Sequence, residues 1–352
     1  MVLFVANYPT LDTIKEGMSQ RIFAIDNQFE SEDRCYLFVS HRMFCRKEVF
    51  EIKKGIKQYR CNLFLHFFFI LNLFRKSRLV YFHSMLNAFL VFPIFFLRKK
   101  KTKYVLDVHG IVPEEQEMNG RRIRSWLYNL IEKKLFSLLD YAIVVTEQMK
   151  NFYHNKYPNT KNVIYIVYPI ISDNILKMKF GSYEVKDIQK IEVIYSGNTQ
   201  SWQNIPLMVE LIKNNIAFNV NYTILTGDIE NMSRMFLEKG VNIENSNIVI
   251  KSVKPEELEE YYKKANYGFI LRDDIDVNRV ACPTKMMEYL CYGVIPIVNL
   301  INIGDFGEYG YEYITNTDFD VNNLSSEKSK KNMKIASTII DSFTRVNIRE
   351  ML

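Results

Sequence analysis

The 352-residue chain is 48% hydrophobic and 24% charged, with 13 glycines and 9 prolines, which excludes long disorder and suffices for two domains with separate cores. Its five cysteines, at 35, 45, 61, 282 and 291, show no CxxC spacing and no histidine at zinc-ligand spacing, so a metal site or disulfide framework is not expected and a reducing compartment is. Net charge is +6 but uneven: residues 1–170 hold 26 Lys and Arg against 15 Asp and Glu, the rest 20 against 25, so the first half calls for an anionic partner.

In chain order, residues 2–6 read as a first strand, without the basic n-region or cleavage motif of a signal peptide. A loop follows, with Gly17 just before a helical stretch at 18–29. Strand-like runs recur at 36–40, 79–83, 104–108 and 141–145, separated by helical runs at about 62–74, 84–97, 120–139 and 147–156. This alternation predicts a doubly wound parallel sheet in an α/β domain spanning 1–170. Tyr168-Pro169 and the polar stretch beyond it predict a linker at 171–190.

The pattern then restarts over a second domain at 191–327. Strands are expected at 191–196, 222–226, 248–250, 267–271 and 294–298, and helices at 204–213, 231–239, 255–265 and 283–292. Residues 328–352 read as a C-terminal helix packing back on the N-terminal domain. Two Rossmann-like sheets of this kind face a central cleft, and their ligands bind at the C-terminal edges of the strands.

The richest run is 282–298, Cys-Pro-Thr-Lys-Met-Met-Glu-Tyr-Leu-Cys-Tyr-Gly-Val-Ile-Pro-Ile-Val: loop, helix, glycine stop, buried strand. Pro283 suits the first helical position and Gly293 the residue after the helix. Lys285 in the first turn opposes the helix dipole unless an anion is held there, when lysine and free N–H groups act together. Glu288 lies three residues on, on nearly the same face. The run therefore suits a phosphorylated ligand with a hydroxyl-rich part.

Several pieces resemble the two-domain GT-B glycosyltransferases, especially the retaining family 4 in its Pro-Thr-Lys branch. Asp107-Val-His109-Gly110-Ile-Val-Pro113-Glu-Glu resembles the first-domain His-Gly loop, and Ala142-Ile-Val-Val-Thr146-Glu147 the strand ending in Thr-Glu. Val167-Tyr168-Pro169 resembles the exit into the linker. Tyr195-Ser-Gly197-Asn198-Thr-Gln-Ser-Trp202-Gln203-Asn204 resembles the glycine loop opening the second domain. Lys251-Ser-Val253-Lys-Pro255-Glu-Glu-Leu258 resembles the segment under the nucleobase, and the run from Pro283 to Gly293 the donor-site helix.

The resemblance implies sugar transfer from a nucleotide diphosphate sugar to a saccharide or lipid-linked acceptor in bacterial surface polysaccharide synthesis, with retention and without a metal or other cofactor. It gives catalytic parts to His109, Arg272 and Lys285, and donor contacts to Gly17, Gly197, Asn198, Val253, Pro283, Thr284 and Glu288, the last for ribose hydroxyls. Asp107, Glu114 and Glu115 fall on the acceptor side. Two features depart from the family: Val280 stands where its first donor-site glutamate is found, and Asn198 and Gln203 stand near its usual basic pair, leaving the phosphate charge to Arg272 and Lys285.

Asp273-Asp274-Ile-Asp276 contains an Asp-x-Asp, read here as a solvated acidic loop, and Trp202 suits either stacking on the donor or packing. Residues 62–74 and 84–97 are aromatic and aliphatic, with Arg75, Lys76, Arg78 and the run 98–103 around them; they are too short to span a bilayer but suit an anionic membrane surface. The expected location is cytoplasmic, peripheral at the inner face of the plasma membrane; with no reading motif, a nucleic-acid partner is not expected. A sugar-nucleotide epimerase and a non-catalytic sugar-nucleotide-binding subunit remain as alternatives.

Overall fold

A computed structural model of the chain describes residues 1–10, 17–40, 46–160, 162–169, 171, 175, 190–243, 247–344 and 346–352. Most of the expected linker at 171–190 lies outside these residues, as does most of the loop before Gly17. The chain forms two compact units, Met1–Ile170 with Val346–Leu352, and Ile171–Arg345.

The first unit carries an eight-stranded sheet: β1 (Val2–Val5), β2 (Arg34–Val39), β3 (Glu48–Lys53), β4 (Ile56–Cys61), β5 (Leu79–His83), β6 (Lys103–Val108), β7 (Tyr141–Val144) and β8 (Ile164–Val167). Their order is β3-β4-β2-β1-β5-β6-β7-β8, parallel except for β3 against β4. The chain builds outward from β1 to one side and returns to β5 on the other, which places the topological switch point between β1 and β5. β1 and β5 are buried along their whole length, as their apolar runs require. The helices are α1 (Gly17–Gln28), α2 (Phe67–Lys76), α3 (Met85–Phe89), α4 (Phe92–Phe95), α5 (Val112–Met118), α6 (Arg122–Phe136) and α7 (Glu147–Lys156).

Three local features differ from the sequence reading. The β3–β4 hairpin was not expected; four of the six β3 residues are exposed, so it has no apolar run, and its signal is the turn at Lys54-Gly55. The helix expected from 62 starts at Phe67, because the Asn62 side chain accepts the N–H groups of Phe64 and Leu65 in a turn. The helix expected at 84–97 is two short ones, with Pro93 in the first turn of the second.

The second unit carries β9 (Ile191–Ser196), β10 (Val220–Leu225), β11 (Ile248–Lys251), β12 (Tyr267–Ile270), β13 (Ile295–Val298) and β14 (Ile314–Thr315). All pair in parallel, in the order β11-β10-β9-β12-β13-β14, so the switch point lies between β9 and β12. The helices are α8 (Ile205–Asn214), α9 (Ile229–Glu238), α10 (Leu258–Lys264), α11 (Asp276–Arg279), α12 (Thr284–Cys291) and α13 (Lys330–Phe343). Inward residues such as Val193, Ile212, Ile224, Phe236, Phe269 and Ile297 form a continuous core. α12 ends as expected at Gly293, which takes the left-handed conformation at φ +66°.

The tail divides where a single helix on the first domain was expected. α13 buries Ala336, Ile339, Ile340 and Phe343 within the second unit and packs on α12. Only the last turn, α14 (Ile348–Met351), belongs to the first unit, where Ile348 is fully buried and its N–H donates to Gln28 Oε1 at 2.7 Å.

Candidate functional site

In the second unit the strand ends at the switch point bring three cationic or donor-rich pieces into one register. Gly197 follows the end of β9, Arg272 lies two residues beyond β12, and α12 presents its first turn with Lys285 at its second residue. The helix opens at Thr284, one residue later than expected; Pro283 is the extended cap before it. The ammonium of Lys285 stands 4.0 Å from the Tyr195 ring centroid and donates to Gln203 Oε1 at 3.3 Å. Gly197 has φ +154°, and a Cβ there would fall 2.9 Å from Lys285 Nζ, so a larger residue would displace the lysine. Tyr195 donates to the Asn198 carbonyl at 2.6 Å, which fixes the glycine loop.

Among the described residues no carboxylate lies within ion-pair distance of Arg272 or Lys285. Burial pushes the lysine down to about 7, and the guanidinium beside it adds to the effect. Burial likewise brings Arg272 down to about 10. These two neighbouring cations, each only partly exposed, repel each other and are incompletely solvated, and a bound anion relieves both penalties.

Glu288, which acts on Lys285 through its charge, is held by a tyrosine. Tyr262 donates to its Oε2 at 2.8 Å and shares a 2.7 Å hydrogen bond with Ser196 Oγ, linking the carboxylate to the end of β9. Burial raises the Glu288 pKa, and the tyrosine bond opposes that rise. Val253 is partly buried in the loop after β11, Thr284 is partly exposed, and Asn198 is exposed with its side chain bonded to Gln200. Trp202 is partly exposed in the turn before α8.

In the first unit, Asp107 lies fully buried in β6, paired with the end of β5. Arg21 Nε donates to both of its oxygens at 2.9 Å, Arg21 Nη2 to Oδ1 at 2.7 Å, and Tyr81 to Oδ2 at 2.9 Å. Burial alone would raise the Asp107 pKa, but Arg21 and then His109 outweigh it and hold the carboxyl well below the usual range. His109 Nε2 stands 3.1 Å from Oδ2 and His83 Nδ1 3.6 Å away, and among the described residues the nitrogens of these two rings make no hydrogen bond of good geometry. Burial lowers the His83 pKa, which favours the neutral ring. Arg21 also donates to the Tyr168 carbonyl at 2.9 Å, tying α1 to the exit strand.

Glu114 and Glu115, expected on the acceptor side, sit in the first turn of α5. Glu114 bonds Lys156 at 2.7 Å, and the Glu115 carboxylate packs directly on Gly110, its pKa raised by burial and by Glu114. Gly17 opens α1.

His83, Asp107 and His109 offer ligand atoms within 4.8 Å of one another. They do not suit a metal ion. Arg21 and Tyr81 already occupy Asp107 Oδ2, and a buried guanidinium beside a cation is repulsive. The acidic loop is engaged too: Asp273 accepts from Asn204 and Asn299, and Asp274 and Asp276 pair with Arg279.

Arg21, Tyr81, Tyr195, Tyr262 and Gln203 were not expected among the site residues. Arg21 left a trace, a charge four residues before Ile25 on the apolar face of α1. The tyrosines left none, since they read as ordinary core residues.

The sequence matches no protein-family model and no curated protein. The structure is similar to that of an α,α-trehalose-phosphate synthase (UDP-forming) from Burkholderia vietnamiensis, with TM-score 0.64 and 9% identity over 99% of this chain and 98% of that one. A sucrose-phosphate synthase from Thermosynechococcus elongatus aligns with TM-score 0.60 and 12% identity, over 97% and 94% of the two chains. Anabaena HepE, solved with UDP and glucose, aligns with TM-score 0.57 and 10% identity, over 98% and 89%. At such identities the likeness establishes architecture, and the chain has the GT-B fold of two parallel-sheet α/β domains.

Proposed function

We propose that this chain is a glycosyltransferase that binds a nucleotide diphosphate sugar on its second unit and passes the sugar to a saccharide or lipid-linked acceptor. The observation that carries this reading is the pair Arg272 and Lys285, with no carboxylate in ion-pair contact among the described residues, at a switch point and at the N-terminus of α12. A diphosphate supplies the missing charge, and the same cations stabilise its growing negative charge as the glycosidic bond to the sugar breaks. Glu288, oriented by Tyr262, accepts ribose hydroxyls, while Gly197, Asn198, Val253, Pro283 and Thr284 line the donor. His109, beside Asp107, serves the sugar and the reaction centre together with Gly17, Glu114 and Glu115.

In this reading leaving-group stabilisation leads the chemistry, transfer retains configuration and needs no metal, and the product enters surface polysaccharide on the cytoplasmic side. UDP-sugars are the donors to try first, because one structural neighbour is a UDP-forming synthase and another was solved with UDP and glucose. A binding-only subunit is the second reading, favoured by the buried Val280 at the place of the family's first glutamate.

The test is thermal melting with a panel of nucleoside diphosphates and their sugars. A ligand of the folded state raises the melting temperature, by an amount equivalent to about 2.7 kcal/mol at a hundredfold excess over Kd. One base should respond, and Lys285→Ala should abolish the response. No response from any member overturns the donor site; response without sugar transfer to any acceptor selects the binding subunit.

A further inference from the structure

We infer that the outward face of α6 is a docking surface for an anionic lipid bilayer. This inference stands apart from the donor-site reading.

Helix α6 is apolar on two opposite sides. At ~100° per residue, Ile123, Trp126, Leu127 and Leu130 share a ~100° arc. Ile131, Leu135 and Phe136 lie on the other side, buried in the unit. The outward arc is open to water: Ile123 is 78% exposed, Trp126 63% and Leu130 56%. It continues onto α4 and the residues after it, where Phe96 is 60% exposed and its ring lies 5.4 Å from Lys134 Nζ. A contiguous apolar surface of this kind marks an interaction site.

The charges select the partner. Arg122 and Lys133 border the arc on one side and Arg124 on the other, all exposed. The helix has one acid, Glu132, and it is turned inward, bonded to Lys156 and Tyr157 at 2.7 Å. Lys99, Lys100 and Lys101 follow Phe96 closely in the chain and are exposed. An apolar stripe with a tryptophan, framed by cations, matches the boundary between acyl chains and anionic headgroups. A second copy of the chain fits poorly, because two-fold pairing of this face sets the same cations against each other. Among the described residues no helix is long and apolar enough to cross a membrane, so the contact lies in the interface plane. Part of the expected lipid face at 62–103 is outward as well: α2 turns Ile70, Leu71, Leu73 and Phe74 into the core, but Phe64, Leu65 and Phe68 are 81%, 59% and 82% exposed, and α6 adds an apolar arc of its own.

The chain has two tryptophans, so Trp202→Phe leaves Trp126 as the sole indole reporter. The full-length W202F protein is mixed, without sugar nucleotide, with phosphatidylcholine vesicles that contain or lack phosphatidylglycerol. Co-sedimentation with the anionic vesicles is expected, weakened by salt, together with a blue-shifted Trp126 emission that brominated lipid quenches. Ile123→Ser with Leu130→Ser should weaken binding at least ~tenfold with unchanged melting, since both side chains are exposed. Lys285→Ala should bind vesicles like its parent, which separates this test from that of the donor site. The inference is overturned if neither vesicle binds, if the double variant binds as well as its parent, or if Trp126 becomes buried by self-association without lipid.

Discussion

Lys285 and Asp107 show how burial sets the chemistry of single groups in the two units. Asp107 has its counter-ion built in, since Arg21 grips both oxygens. Lys285 touches a tyrosine ring and a glutamine oxygen and feels Glu288 only at a distance, and its folded value of about 7 lies well below the ordinary lysine value of 10.5. Between those values the unfolded chain holds the extra proton, so the contribution of Lys285 to the stability of the free protein rises from pH 7 toward 10. Its partial exposure keeps that term small. Donor binding runs the other way, because the anion needs the ammonium. In the proposed function, affinity for the nucleotide sugar that binds should be greatest at and below pH 7 and fall by up to about tenfold per pH unit above it. Calorimetry at pH 8 in buffers of different ionisation heat should show uptake of about one proton. Lys285→Arg, charged throughout, should show none; equal uptake in both proteins would sink the assignment. At this scale the placing of Lys285 and Glu288 on one helix was legible because a proline and a glycine bracket it, and that of His109 just after a strand because an apolar run precedes it. Arg21 and Tyr262 were not, because their roles come from contacts 86 and 26 residues away in the chain.

Helix α12 was the most legible element, since a proline before it, an apolar face and a terminal glycine all agree on its limits. The β3–β4 hairpin was the least legible, because an edge strand that faces water carries no burial pattern. What the sequence hid about α12 is how it is held. Gly268 in β12 lies under the Tyr289 ring so closely that an added Cβ would collide with it, and the Tyr289 hydroxyl reaches the Ile194 carbonyl at 3.4 Å. The strand thus sets the height of the helix that carries Lys285 and Glu288. Gly268→Ala should destabilise the second unit by about 1–3 kcal/mol through overpacking and weaken nucleotide binding. Adding Tyr289→Leu should recover part of the binding by making space. Urea unfolding and nucleotide titration of both variants check this; unaltered binding in Gly268→Ala would show that α12 is positioned by something else.

Across the whole molecule, alternating strands and helices made the two sheets legible, whereas the path of the tail was not. A stretch of mixed polarity does not reveal which of two units receives its apolar side. Here α13 stays with the second unit and only the last turn returns to the first. That turn is anchored by one fully buried side chain, Ile348, and by polar contacts: Gln28 with the Ile348 N–H, and Arg349 with Ser31 Oγ at 2.6 Å. Lys103 adds a bond to the Leu352 carbonyl at 2.7 Å. If each unit has its own core, loss of this anchor should be felt in one of them. Ile348→Ala should cost about 2–5 kcal/mol, the range for a buried isoleucine cut to alanine. Amide exchange in α1, against which the turn packs, should accelerate, while amides of β9 and β12 keep their protection. Were β9 and β12 to lose protection equally, the two units would unfold as one, and the tail would act as a clasp on the entire chain.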